Sequence, residues 1–150
     1  MTRPDYMALA LAAAERAAAA GEVPIGAVLV DGATGDVLAT AHNRTETDAD
    51  PTAHAELLAI RAAAAARGEP RLVDCDLYVT LEPCPMCAQA ISFARIRRVY
   101  YGAADPKGGG VAHGPRIFEQ KTCHHRPEVY PGIGEERAGA LLRAFFAARR

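Results

Sequence analysis

Two kinds of hydrophobic pattern alternate along the chain. Long alanine- and leucine-rich stretches with periodic polar positions are typical of helices, and short continuous apolar runs bounded by turn residues are typical of buried strands. The predicted helices cover 4–20, 53–67, about 83–93 and 135–150; the predicted strands are 25–30, 37–42, 76–81, 97–102 and, more weakly, 127–130. This alternation of helices and strands indicates a layered α/β domain.

Turn-forming residues support several of these boundaries. The sequence DGATGD at 31–36 lies between the first two strands and is typical of a hairpin turn. The second helix is entered through Asp-Pro-Thr at 50–52 and ends at Gly68. Residues 43–51 are polar and predict a loop, and three glycines at 108–110 predict a second loop that is long and flexible.

Composition and charge bear on the number of domains and on the classes of partner. The chain has 150 residues and is 50% hydrophobic, which suits a single domain that buries about 68–70% of its unfolded surface. A net charge of -1 neither favours nor excludes a nucleic-acid partner. No apolar run is long enough to cross a membrane, and Asp5 and Glu15 argue against a signal peptide. We therefore predict one cytoplasmic domain over residues 1–150, with no membrane partner.

The segment PCPMC places Cys84 and Cys87 three positions apart, where a helix is predicted to begin from Pro83 or Pro85. Both sulfurs can point to one face there, and the positive end of the helix dipole favours thiolates. The spacing alone fits a metal site, a redox pair or two buried small side chains. A redox pair belongs in a thioredoxin-like βαβ pattern, which this sequence does not offer. A tetrahedral metal site would need further ligands.

The segment PTAHAE at 51–56 offers another ligand. His54 would add a nitrogen to the two sulfurs and leave the fourth position open for water, which is typical of catalytic zinc sites. Taken alone, the histidine could cap a helix and Glu56 could compensate its dipole. Residues two apart on a helix point roughly 200° away from each other, so Glu56 is better placed beside the water than on the metal. There it could transfer protons.

HxE followed by PCxxC is the signature of zinc-dependent nucleoside and base deaminases. The rest of the chain extends this likeness from the first helix to the last. It resembles the bacterial tRNA-specific adenosine deaminases in GEVPIGAVLV, HNR, DPTAHAE, LYVTLEPCPMC, ISFARIRRVYYGA and ALLRAFFAARR. The zinc motif belongs to the whole superfamily, and these flanking segments favour the tRNA enzymes.

The resemblance implies a three-layer α/β/α fold of the cytidine-deaminase type, with a central mixed sheet covered by helices on both faces. By position, it makes His54, Cys84 and Cys87 the ligands of one Zn2+ per subunit and Glu56 the proton shuttle. It also implies a homodimer with active sites near the interface. No other protein partner is evident.

The implied reaction is hydrolysis of adenosine to inosine, with release of ammonia, at the wobble position of an arginine tRNA with an ACG anticodon. The resemblance places Asn43 and the backbone of Ala55 at the purine. It places Asp105 at the sugar-phosphate of the anticodon arm.

The sequence leaves the RNA contacts of two further segments open. Residues 107–120 are glycine-rich where many members of the family carry a KTGA-type loop, so contacts of that loop do not follow from the resemblance. Phe145 and Phe146 lie on an amphipathic helix, where at least one of them is expected in the core and the other could stack on a base.

Two other functions stay open as well. Guanine and cytosine deaminases share the zinc motif but act on free bases or nucleosides. A non-catalytic zinc module would use the metal only to stabilise the fold, and such sites normally fill all four positions with Cys or His. No fourth ligand is evident here, which argues against the second alternative.

Overall fold

The computed structural model describes residues 4–149. Within them the elements follow one another as helix, two strands, and then helices and strands in alternation. They are α1 (Tyr6–Ala19), β1 (Gly26–Asp31), β2 (Val37–His42), α2 (Ala55–Arg67), β3 (Cys75–Leu81), α3 (Pro85–Phe93), β4 (Arg98–Ala103), a 3-10 turn (Ile117–Glu119), β5 (Glu128–Tyr130) and α4 (Glu135–Ala147). Among the helices in this part of the chain, none is long and apolar enough to cross a membrane.

The five strands form one mixed sheet in the order β2-β1-β3-β4-β5. Strand β1 is antiparallel to both β2 and β3, whereas β3, β4 and β5 run parallel. Because side chains alternate across a strand, Leu29 and Leu77 face one side of the sheet and Val28 and Val30 face the other. The first side is covered by α2 and α3, and the second by α1 and α4. The predicted three-layer fold with a central mixed sheet is confirmed.

Helix α1 packs closely on the sheet because small residues meet at the contact. Asp5 caps the helix by accepting a hydrogen bond from the Ala8 amide at 3.0 Å. At the facing position of β1, an added Cβ on Gly26 would lie 2.0 Å from the Ala10 carbonyl oxygen. Alanine on the helix and glycine on the strand therefore set the distance between these two layers.

Most predicted boundaries agree with the structure to within one or two residues. Helix α3 begins at Pro85, which decides between the two prolines considered, and the weakly predicted last strand forms as β5. The final helix ends at Ala147, and Arg150, in the predicted range, lies outside the described residues.

The loop at 108–110 differs from its prediction. Gly109 and Gly110 are buried, and their amides donate to the carbonyl oxygens of Asp105 and Pro83, each at 2.8 Å. The prediction of a flexible loop is wrong at these two glycines, because their lack of side chains serves close packing.

Candidate active site

Two helix N-termini meet beyond the end of strand β3 and bring three candidate ligands together. His54 is the N-cap of α2, Cys84 is the N-cap of α3, and Cys87 lies in the first turn of α3. The His54 Nδ1 atom lies 3.6 Å from the Sγ atom of Cys84 and 3.6 Å from that of Cys87. All three ligand atoms lie within 4.8 Å of one another. The structure therefore unites residues that are about thirty positions apart in the sequence.

This geometry fits a tetrahedral zinc ion. Zinc binds thiolate sulfur at about 2.3 Å and imidazole nitrogen at about 2.0–2.1 Å, so one sulfur and one nitrogen at a tetrahedral angle are separated by about 3.5–3.6 Å. That value matches both nitrogen–sulfur distances. One nitrogen and two sulfurs also form the donor set that zinc prefers.

Hydrogen bonds and burial shift the pKa values of the three candidate ligands. A hydrogen bond from the Cys87 thiol is the largest influence on Cys84 and helps to lower its pKa to about 4. The same bond, together with burial, raises the pKa of Cys87, and the contact with Cys84 raises the pKa of His54. Cys84 is thus ionised at neutral pH, whereas metal binding at Cys87 must release a proton.

Glu56 lies in the first turn of α2, and its side chain is almost completely buried. Burial raises the pKa of Glu56 to about 7. A carboxyl group that titrates near neutrality can both accept and donate a proton. Its carboxylate oxygens are not among the clustered ligand atoms. His54 precedes the helix and has an extended backbone (φ -80°, ψ 149°), so the separation of roughly 200° between residues two apart on a helix does not hold for His54 and Glu56.

Asn43 follows strand β2 and is buried beside the start of α2. Its Oδ1 atom accepts a hydrogen bond from the Ala55 amide at 2.9 Å. Ala55 itself is fully buried, and its amide is already satisfied by this bond. Asn43 therefore anchors the first turn of α2, which carries Glu56, to the end of β2.

A cavity of about 490 Å³ is lined by His54, one of the three candidate ligands. Its walls come from both ends of the chain and from the strand ends between them. The lining residues are Val23, Ile25, Asn43, Thr45, His54, Leu81, Ala104, Asp105, Leu142 and Phe146. The size and the mixture of apolar walls with a few polar groups are typical of a site for a small organic group.

The two aromatic side chains on α4 differ in burial, as predicted. Phe145 is buried, which confirms a core position for one of the two. Phe146 is 48% exposed and lines the cavity. The pair forms an edge-to-face contact with ring centroids 5.4 Å apart, so Phe145 supports the exposed ring.

Asp105 lies in the wall of the cavity. Its Oδ1 atom accepts hydrogen bonds from the amides of Lys107 and Gly108, so this carboxylate also shapes its own loop. Of the residues predicted at the substrate, Asn43 and Asp105 line the cavity, whereas Ala55 lies behind Asn43.

Sequence reasoning missed two buried carboxylates near the site. Glu22, before β1, accepts hydrogen bonds from the amides of Glu46 and Thr47 and so fixes the loop that joins Asn43 to His54. Glu82, between β3 and Cys84, binds the loop after β4. In the sequence, each of these glutamates stands close to a predicted buried strand. A glutamate that is buried there needs hydrogen-bond or charge partners, because Glu is almost never fully buried without them.

Comparisons with known proteins agree with this geometry. The family model of the cytidine and deoxycytidylate deaminase zinc-binding region matches residues 2–103. A tRNA-specific adenosine deaminase from Agrobacterium fabrum (strain C58) is 57% identical over 148 residues, which cover 99% of this chain and 96% of that protein.

Two solved structures are also similar. One, from work on A-to-I editing by tRNA:A34 deaminases at the wobble position of transfer RNA, is 58% identical with a TM-score of 0.89, over 91% of this chain and 98% of that chain. A guanine deaminase from Bacillus subtilis is 33% identical with a TM-score of 0.66, over 99% of this chain and 94% of that chain.

Proposed function

The chain belongs to the cytidine and deoxycytidylate deaminase family, and from that premise we propose that it hydrolyses adenosine to inosine at the wobble position of a tRNA anticodon. The observation that carries this function is the near full-length similarity to tRNA deaminases, at 57% and 58% identity. Similarity to the guanine deaminase is lower, at 33% identity. We propose an arginine tRNA with an ACG anticodon as the substrate.

His54, Cys84 and Cys87 would hold one zinc ion per subunit, since their nitrogen and sulfur atoms have the separations that a tetrahedral ion requires. When bound, zinc activates a water molecule as the nucleophile. In the overall reaction the water oxygen forms a bond to C6 of adenine, and the bond from C6 to the amino nitrogen breaks.

Glu56 would move the protons that this exchange requires. Its buried carboxylate can take a proton from the water and deliver it to the departing amino group, which leaves as ammonia. The raised pKa of Glu56, about 7, suits both steps because the two protonation states are close in free energy at neutral pH.

Asn43 would orient the base. Its Oδ1 atom is held by the Ala55 amide, which leaves the side-chain NH2 group to donate a hydrogen bond to the purine. The placement of the Ala55 backbone at the purine stays a prediction, and a direct contact through its amide would have to replace the bond to Asn43.

An anticodon loop suits this cavity because its bases are single-stranded and can be turned outward without opening a duplex. We propose that Asp105 contacts the sugar of the anticodon arm. A carboxylate repels a phosphate but accepts a hydrogen bond from a ribose hydroxyl, so the hydroxyl is the fitting partner. Phe146, exposed at the cavity, offers a ring on which a neighbouring base could stack.

We also propose that residues 1–150 form a single domain, that it assembles as a homodimer and that it acts in the cytoplasm. One sheet carries both hydrophobic clusters, which supports a single domain. Phe93, which is 68% exposed, and Met86 place apolar surface on α3, the helix that carries Cys84 and Cys87, which supports a dimer close to the site. A tRNA substrate and four free cysteines support a cytoplasmic location.

The test is a comparison of substrates with the purified zinc-loaded protein. We expect inosine and ammonia from an anticodon stem-loop with a wobble adenosine, and little ammonia from free adenosine, guanine or cytosine. Faster release of ammonia from free guanine or cytosine would contradict the tRNA assignment. Measuring the molar mass in solution tests the dimer independently.

A further inference from the structure

Glu82 is a buried carboxylate that binds five hydrogen-bond donors of one loop, residues 105–113, which we call the Glu82 loop. Its side chain is fully buried, between the end of β3 and Cys84. The Oε1 atom accepts from the Asp105 amide at 3.0 Å and from the His113 Nδ1 atom at 2.7 Å. The Oε2 atom accepts from the amides of Val111, Ala112 and His113 at 3.0–3.2 Å. Both ends of the loop are therefore tied to one side chain.

The glycines of the Glu82 loop let its backbone approach this carboxylate and helix α3. A Cβ atom on Gly109 would lie 2.3 Å from the Glu82 Oε2 atom. A Cβ atom on Gly110 would lie 2.5 Å from the Pro85 nitrogen, at the start of the helix that holds Cys84 and Cys87. Gly109 and Gly110 are thus explained by contact with Glu82 and with the helix that carries the candidate ligands.

The loop leads from Glu82 to the cavity. Asp105, whose amide binds Glu82, lines the cavity, and Lys107, exposed, follows it two residues later. Glu82 lines no part of this cavity and is not one of the clustered ligand atoms. Its hydrogen bond to the Asp105 amide connects it to the cavity through the loop that it holds.

We propose that Glu82 is a positioning residue that fixes the Glu82 loop, and with it Asp105, in the conformation that receives the RNA substrate. The proposal rests on the proposed tRNA function only for the identity of that substrate. Because the five donors converge on one carboxylate, a neutral isostere cannot satisfy them. In either orientation, the NH2 group of a glutamine would face at least one backbone amide of the loop.

The experiment compares wild type with Glu82→Gln as zinc-loaded proteins acting on an anticodon stem-loop. We expect KM to rise about tenfold in the variant, because one or more hydrogen bonds to a charged group are lost. The kcat at saturation should change less than about threefold, and zinc content should equal that of wild type, because no candidate ligand is altered. Glu69→Gln, which removes the same charge at an exposed position, is the matched control and should match wild type.

A rise in KM with little change in kcat distinguishes a positioning role from a purely structural role. A loss of folded enzyme would lower kcat and leave KM unchanged, and that result would overturn the proposal. An unchanged KM with unchanged kcat would overturn it as well. If wild type makes no inosine from the stem-loop, the proposed function fails, and the exchange measurement below still tests how the loop is held.

Amide hydrogen exchange of the wild-type protein tests the hold on the loop without any variant. The amides of Val111, Ala112 and His113 should exchange at least about a hundredfold more slowly than in an unstructured peptide, because each donates to a buried carboxylate. Where Glu82→Gln folds, this protection should fall at the same three amides. Exchange at unstructured rates in wild type would show that Glu82 does not fix the loop.

Discussion

At the scale of single residues, the chemistry of the site depends on how burial and charge differ between neighbouring acidic groups. Glu56 has few compensating donors, and burial raises its pKa to about 7. For Glu82, burial acts in the same direction, but hydrogen bonds from the Asp105 amide and from His113 outweigh it and lower its pKa. The two buried glutamates therefore differ in charge: the raised pKa of Glu56 suits the proposed proton transfer, and the lowered pKa of Glu82 favours its charged form.

Replacing Glu56 by alanine tests the proton-transfer role. We expect kcat on an anticodon stem-loop to fall at least about a thousandfold, because the variant lacks the buried carboxylate that would transfer a proton to the leaving group. Zinc content should stay at the wild-type level, since His54, Cys84 and Cys87 remain. Glu46→Ala, at an exposed position, serves as the control. Turnover by Glu56→Ala within about tenfold of wild type would rule out this role.

Glu22 supplies a prediction about pH. Burial would raise its pKa, but hydrogen bonds from Thr47, Glu46 and Thr45 outweigh that effect and leave the pKa below its ordinary value. Because the folded-state pKa is lowered, the stabilisation is present above the unfolded-state pKa, about 4.3, and is lost as pH falls through the folded-state value.

The measurement is the free energy of unfolding of wild type and Glu22→Gln as a function of pH. At pH 7 the variant should be less stable by about 1–3 kcal/mol, because the donors of Glu46 and Thr47 lose a charged acceptor. The difference should shrink as pH falls below about 4, since protonated Glu22 then resembles glutamine. A difference that stays constant from pH 7 to pH 3 would contradict the assignment.

The sequence indicated the candidate ligands but not the buried carboxylates that hold the neighbouring loops. His54, Cys84 and Cys87 are recognisable as candidate ligands because their residue types and their spacing at two helix starts are typical of a metal site. Glu22 and Glu82 bind backbone amides of loops more than twenty positions away, and a backbone amide has no residue type for a pattern to detect.

At the scale of elements, hydrophobic periodicity predicted which segments form helices and strands. It did not predict where glycines allow two elements to pack closely. The GGG segment reads as flexible in a sequence, because glycine is permissive, yet Gly109 and Gly110 are fixed against Glu82 and Pro85. Gly26 in β1 is similar, since its lack of a side chain matters only once α1 lies on the strand. Such contacts depend on the fold and not on the local sequence.

Glycine-to-alanine substitutions at two positions test this view of packing. Gly26→Ala should lower the stability by about 1–3 kcal/mol or more, because the new Cβ would meet the α1 backbone at 2.0 Å. Gly139→Ala lies in α4, where the new Cβ would meet only the movable Arg143 side chain, so higher helix propensity should leave the stability equal or increase it by up to about 1 kcal/mol. Denaturant midpoints measure both changes. Equal midpoints for the two variants would contradict the packing argument.

At the scale of the whole molecule, two hydrophobic clusters stabilise the fold on either side of the sheet. The pattern of the sequence predicted layers, but the resemblance to a family was needed for the mixed sheet. Pairing direction depends on how the chain returns to the sheet: β1 and β2 form a hairpin, whereas β3 and β4 are joined through α3. The candidate site lies where α2 and α3 begin, and its three candidate ligands belong to neither hydrophobic cluster.

Removal of the metal distinguishes a catalytic zinc site from a zinc module that stabilises the fold. Removing the metal with a chelator should abolish deamination, and adding zinc should restore it. The metal-free protein should keep its far-UV circular dichroism and a cooperative unfolding transition, because neither hydrophobic cluster depends on the three ligands for its contacts across the sheet. In a structural zinc module, the free energy of metal binding supplies the free energy of folding, so chelation unfolds the chain. Unfolding on chelation would therefore count against a catalytic centre, whereas loss of turnover in a folded chain is the result that the three-layer core predicts.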